Sequence, residues 1–150
     1  MATRTRLRVP SVNSTSHSWA LASDTQLITP VVEHIVSMCQ VAGFSARHCR
    51  LNVPVAVTEA LANAMQQGNG SDITRQVTVA VQVSPERLVV EVTDEGAGFE
   101  LAECERTPDH ADWLVREDGR GIFLMRQLMD RVENRCFDAG HLLRLILHRV

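Results

Sequence analysis

Residues 77–99 read VTVAVQVSPERLVVEVTDEGAGF, and the fold turns on them. Val77, Val79, Val81 and Val83 alternate with Thr78, Ala80 and Gln82; Leu88, Val90 and Val92 alternate with Val89, Glu91 and Thr93. A period of two sends successive side chains to opposite faces of a sheet, so both runs are strands with one buried face. Ser84-Pro85-Glu86-Arg87 between them closes an antiparallel hairpin. Directly after the second strand stands Asp94-Glu95-Gly96-Ala97-Gly98-Phe99, where two glycines remove side chains and permit positive φ.

Downstream, Gly119-Arg120-Gly121 repeats the Gly-x-Gly signature and leads into an apolar stripe of Ile122, Met125, Leu128 and Met129. That spacing predicts a helix over 122–131. Residues 131–137 and 142–147 then read as a second hairpin around Asp138-Ala139-Gly140. Between the glycine clusters, 97–118 keeps no period and is expected to be a long loop or lid, a kind of segment that is usually functional or mobile in a small domain.

Upstream, Glu59 and Asn63 fall on a helix whose Val55, Leu61, Ala62 and Met65 keep helical spacing and which Gly68-Asn69-Gly70 stops. Pro54 inside that helix would cost about 3 kcal/mol, so the start is expected near Asn52, with Ser45–Leu51 a separate turn or short helix. An earlier helix carries Leu27, Ile28, Val31, Val32, Ile35, Val36 and Cys39 on one face, with Ser23 or Asp24 as N-cap and Gly43 as its end. His17–Ala22 alternates as a strand before it. Residues 1–16, rich in Ser, Thr and Arg, are expected to be a mobile tail, leaving 17–150 as one domain.

The 150 residues are enough for one core and too few for two ordinary domains. A net charge of −3 gives no basic footprint, so direct nucleic-acid binding is not expected. No apolar run approaches the roughly 20 residues of a membrane helix, and no secretion signal opens the chain, which points to a cytoplasmic protein. Cys39, Cys49, Cys104 and Cys136 have neither CxxC nor ligand-like spacing, so reduced thiols are expected rather than zinc or disulfides.

Glu59 and Asn63, four apart, share a helix face and can converge on one ligand. An asparagine oxygen suits a hard magnesium ion, and the glutamate could orient or accept a hydroxyl proton. The pair also fits an ordinary solvated helix face. Asp94, at a strand end beside Val90 and Val92, offers an acceptor to the N6 amine of adenine and would face the carbonyl of guanine unfavourably. It equally fits an ordinary Asp-x-Gly turn. Gly119-Arg120-Gly121 before a helix would expose free N–H groups and the positive helix end, a natural phosphate site, or else serve as a hinge. Arg116 and Arg120 are candidates for neutralising a terminal phosphate. No GxxxxGK[ST], HExxH or GxSxG motif is present.

Taken in order, TEALANA (58–64) resembles the N-box, DEGAGF (94–99) the first glycine box and GRGIFLM (119–125) the second glycine box of the GHKL ATPase superfamily. Within it the chain is most similar to the small bacterial anti-sigma factor serine/threonine kinases, over about Trp19 to Leu147. The resemblance implies an α+β two-layer sandwich of the Bergerat type, a mixed, mainly antiparallel sheet with helices on one face, binding ATP and Mg2+. It implies Glu59 as general base, Asn63 as magnesium ligand and Asp94 as adenine contact, with Gly96 and Gly98 beside the base. Gly119, Arg120, Gly121 and Ile122 would lie near the phosphates. Members phosphorylate a STAS-domain antagonist, alternately hold a sigma factor, and often form homodimers. Gln67 departs from the pattern, standing where many members carry a histidine or a charged residue. Two other readings are an ATP-gated protein-binding module and the catalytic domain of a histidine kinase, which usually carries asparagine at the position of Glu59.

Overall fold

A computed structural model of the chain describes residues 14–96, 117–137 and 140–150. Five strands, β1 (Thr15–Ala22), β2 (Gln76–Val83), β3 (Arg87–Asp94), β4 (Arg131–Phe137) and β5 (Gly140–His148), form one sheet in the order β1-β2-β3-β5-β4. All four of these pairings are antiparallel. Among the described residues three α-helices accompany it: α1 (Ile28–Val41), α2 (Val53–Asn63) and α3 (Glu117–Leu128). This is the expected two-layer α+β arrangement.

The alternation read from the sequence sets the sheet. Every second residue of β2, from Val77 to Val83, is buried, and so is every second residue of β3, from Leu88 to Asp94. These valines join Leu143, Leu145 and Leu147 of β5 and meet Val31, Ile35, Val57, Leu61 and Met125 from the helices in one hydrophobic cluster. Burying each such side chain contributes roughly 1.5–3 kcal/mol, so a one-residue slip of register would invert the whole face. The other face is polar: Glu91, Arg144 and Glu133 stand side by side on β3, β5 and β4 and pair at 2.9 and 3.4 Å. A third exposed, that network contributes little to stability and mainly marks the register.

β1 begins at Thr15, two residues before the expected strand, and Ser14 Oγ accepts a hydrogen bond from Gln82 Nε2. Residues 1–13 of the expected tail lie outside the described residues. α1 follows a short 3-10 turn at Thr25–Leu27, where Asp24 Oδ1 accepts from Gln26 N as its cap.

α2 starts at Val53, one residue from the expected start, with Pro54 in its first turn. The chain is helical from His48 through Gly68, and α2 is flanked by wide π turns at His48–Asn52 and Ala64–Gly68. Val53 N–H reaches the carbonyl of His48, five residues back, so the ladder opens just where proline has no N–H to give and where its ring would strike a normally placed carbonyl. Residues 48–52 form a short helical element of their own that runs into α2, the short-helix alternative expected for this stretch. Asn52 Nδ2 donates at 2.7 Å to the carbonyl of Leu128, tying the start of α2 to the last turn of α3. Cys39 and Cys49 are free and buried, whereas Cys136 is disulfide-bonded, which corrects the expectation of reduced thiols throughout.

Candidate functional site

α2 turns Val53, Ala56, Val57, Ala60 and Leu61 into the core, which leaves Glu59 and Asn63 half-buried on its flank. α3 packs against that flank, and Gly121 is the closest point. A Cβ at position 121 would stand 2.9 Å from Asn63 Nδ2, 3.1 Å from Glu59 Oε2 and 3.5 Å from Asn63 Oδ1. The second glycine box and the N-box thus touch: any side chain at 121 would displace the carboxylate and amide ends of Glu59 and Asn63 from where they now stand.

The expected start of α3 is corrected. The helix begins at Glu117, five residues before Ile122, so Gly119-Arg120-Gly121 lies within its first turns. Because the helix already runs at Glu117, four residues earlier, Gly121 N–H is internal to its ladder rather than a free group of a helix end. Two glycines cost about 1 kcal/mol each in a helix, but packing of Gly121 and Met125 against α2 and the core outweighs that propensity. Ile122 is half-buried against the core. Gly98, Arg116 and the expected lid up to residue 116 lie outside the described residues, as does the side chain of Arg120.

Asp94 closes β3 and is 2% exposed. Its Oδ1 accepts from Gly96 N at 2.9 Å, and its Oδ2 faces His141 Nδ1 at 3.4 Å. Three glycines make room for it. A Cβ on Gly68 would come within 2.2 Å of Asp94 Oδ2. One on Gly96 would come within 1.9 Å of the Gly68 carbonyl, and one on Gly140, whose φ is +155°, within 1.9 Å of the Asp94 carbonyl. Gly68 ends the helical run that carries Asn63, five residues earlier, or about 7 Å of helix rise. The carboxylate-amide pair and the buried aspartate are therefore two ends of one short ridge.

Asn69 holds the ridge to the sheet, and sequence reasoning passed over it as part of a helix stop. It is 2% exposed; its Nδ2 donates to Ser23 Oγ and to the Gln76 carbonyl, each at 3.0 Å, and its Oδ1 accepts from Glu95 N at 2.9 Å. Glu95 Oε2 in turn accepts from Gln76 N. A single amide so links the ends of β1, α2 and β3 to the start of β2. Its only sequence signal is an amide bracketed by glycines, which reads as a turn.

The donor set suits magnesium and a nucleotide. Asn63 and Glu59 offer oxygen atoms of the kind a hard cation takes, and Asp94 offers a dry acceptor for an amine. Among the described residues no three His, Cys, Asp or Glu side chains form a metal cage, so a cation at Asn63 would complete its shell with phosphate and water.

The profile of the histidine kinase-like ATPase domain family matches residues 21–147. The serine-protein kinase RsbW of Bacillus licheniformis is 34% identical over 86 residues, and that of Bacillus subtilis strain 168 is 35% identical over 86, in each case 54% of either chain. RsbW of Listeria innocua is 30% identical over 99 residues, 61% of either chain. The chain thus matches little more than half the length of these curated relatives. Among solved structures, the Erythrobacter litoralis EL346 blue-light activated histidine kinase superposes with a TM-score of 0.54 at 18% identity, over 81% of this chain and 42% of that one, a likeness of fold.

Proposed function

This chain belongs to the histidine kinase-like ATPase domain family, and from that premise we propose that it is an ATP-dependent protein serine/threonine kinase of the anti-sigma type. Its substrate is a serine or threonine on a STAS-domain antagonist, and its second partner is a sigma factor held by a homodimer in the cytoplasm. The likeness to serine-protein kinases named RsbW supports the kinase class.

The observation that carries the reading is the contact of Gly121 with Glu59 and Asn63. It gathers residues from two distant motifs around one point, as phosphoryl transfer by positioning and charge stabilisation requires. Glu59 orients the attacking hydroxyl and receives its proton. Asn63 holds magnesium, which when bound neutralises phosphate oxygens. Asp94 accepts the adenine amine, with Gly96 and Gly98 letting backbone approach the ring. Gly119, Arg120, Gly121 and Ile122 border the phosphates.

The test uses labelled ATP, magnesium and STAS-domain candidates from the native proteome. Glu59→Ala is expected to keep ATP binding and lose transfer to serine or threonine. Undiminished phosphorylation by that variant would remove the role of Glu59, while acid-labile phosphohistidine on the product would favour a histidine kinase instead.

A further inference from the structure

His141 is not part of any of the three motifs, yet it is the neighbour of Asp94 across the sheet. The two residues are register partners on β3 and β5, and His141 Nδ1 faces Asp94 Oδ2 at 3.4 Å. The other ring nitrogen, Nε2, meets Asn134 Oδ1 on β4. The side chains are largely shielded, 14% exposed for His141 and 2% for Asp94. Gly140, immediately before His141, has no room for a side chain because its backbone lies against the Asp94 carbonyl, so the placement of this imidazole is built into the hairpin.

Building on the reading of Asp94 as the adenine contact, we infer that His141 is a specificity-determining positioning residue, which fixes the Asp94 carboxylate so that one nucleobase edge is accepted and another refused. The two carboxylate oxygens face opposite directions. Oδ1 accepts from the N–H of Gly96 in its own turn, and Oδ2 faces the His141 ring on β5. A proton on Nδ1, presented to Asp94, is the arrangement that the inference requires. Asn134 sets the ring plane from the far side. Engaged at both oxygens, the carboxylate is kept from swinging away from a guanine carbonyl. The exclusion of guanine then rests on a buried acceptor that has no other direction to turn.

The measurement is the ratio of magnesium-ATP to magnesium-GTP affinity, by calorimetry at neutral pH. His141→Leu removes the donor and is expected to lower the ratio by roughly tenfold or more, the scale of one lost hydrogen bond to a charged group. His141→Asn puts an amide nitrogen where Nδ1 stood and is expected to restore much of the preference. Because a purely structural role would shift melting temperature without moving the ratio, thermal melting is recorded for each variant. Should His141→Leu fail to fold, Asn134→Ala, at an exposed position, is expected to give a smaller fall in the same ratio. A ratio unchanged in whichever of these variants folds overturns the inference.

A nucleotide-free readout separates this inference from the ATP-binding reading. Long-range proton–nitrogen correlation of wild type is expected to show His141 protonated at Nδ1. A ring protonated only at Nε2 overturns the inference, even where ATP binds well. Protonation at Nδ1 with no nucleotide binding supports the His141–Asp94 arrangement and overturns its assignment to base selection.

Discussion

Replacing Gly121 with alanine separates stability from function. Three contributions are calculable. Alanine gains about 1 kcal/mol over glycine in a helix interior. Its Cβ would stand 2.9 Å from Asn63 Nδ2 and 3.1 Å from Glu59 Oε2, against ordinary contact near 3.5–4.0 Å, an overlap of roughly half to one ångström. Both atoms end flexible, half-buried side chains, so they swing aside for roughly 0.5–1.5 kcal/mol each rather than forcing the helices apart. The sum lies within about 2 kcal/mol of zero, a melting shift of no more than about 8 °C for a domain of this size. Function fares worse, because displacement of catalytic groups by about 1 Å can cost a hundredfold in rate. The assays are circular dichroism melting and transfer of label from ATP to the phosphoacceptor. A variant that melts near wild type but transfers at wild-type rate would refute the assignment of Glu59 and Asn63. A loss above about 4 kcal/mol would refute the flexibility argument.

Gly68→Ala meets no flexible obstacle, since the added Cβ falls 2.2 Å from Asp94 Oδ2 and 2.5 Å from its Cγ in a closed space. It is expected to cost about 3 kcal/mol or more in urea unfolding, and a cost below about 1 kcal/mol would contradict the packing described. Asn69→Ala strands the partners of three hydrogen bonds, one buried and two partly buried, and is expected to cost about 3 kcal/mol, with faster amide exchange at Glu95; an unaltered Glu95 rate would show that the clip is dispensable. Burial, followed by the charge of Cys49, pushes the Cys39 thiol up to about 12 from 9.0. A folded value above the unfolded one contributes stability that is full below pH 9 and is lost as pH climbs toward 12. Urea midpoints should therefore fall on going from pH 8 to pH 10.5, less steeply in Cys39→Ala, and equal slopes would exclude the effect.

The parts of the fold set by periodicity were legible in the sequence. Valines every second residue in β2 and β3, and the Val31-Val32-Ile35-Cys39 stripe of α1, are patterns that burial on one face imposes. Glu59 and Asn63 were legible as a pair for the same reason, since four residues make one turn. The start of α3 was not, because glycine signals a helix boundary and only the tertiary contact of Gly121 with α2 overrides it. Pro54 placed the start of α2 within one residue, but the π turn that precedes it is a property of backbone geometry, with no residue signature of its own. Asn69 and His141 act through partners 26 and 47 residues away in sequence, Glu95 and Asp94, and no local pattern reports such distances.

Gly68 belongs to none of the glycine boxes, yet its α-carbon is the floor on which Asp94 rests and its carbonyl is what Gly96 must clear. A grafting experiment that moves the Asp-x-Gly turn onto another scaffold would fail unless the helix-ending glycine travelled with it. In a directed-evolution library aimed at altered base preference, position 68 could grow only if Asp94 shrank, whereas 96 and 140 would stay glycine whatever stood at 94, because a side chain there meets backbone carbonyls.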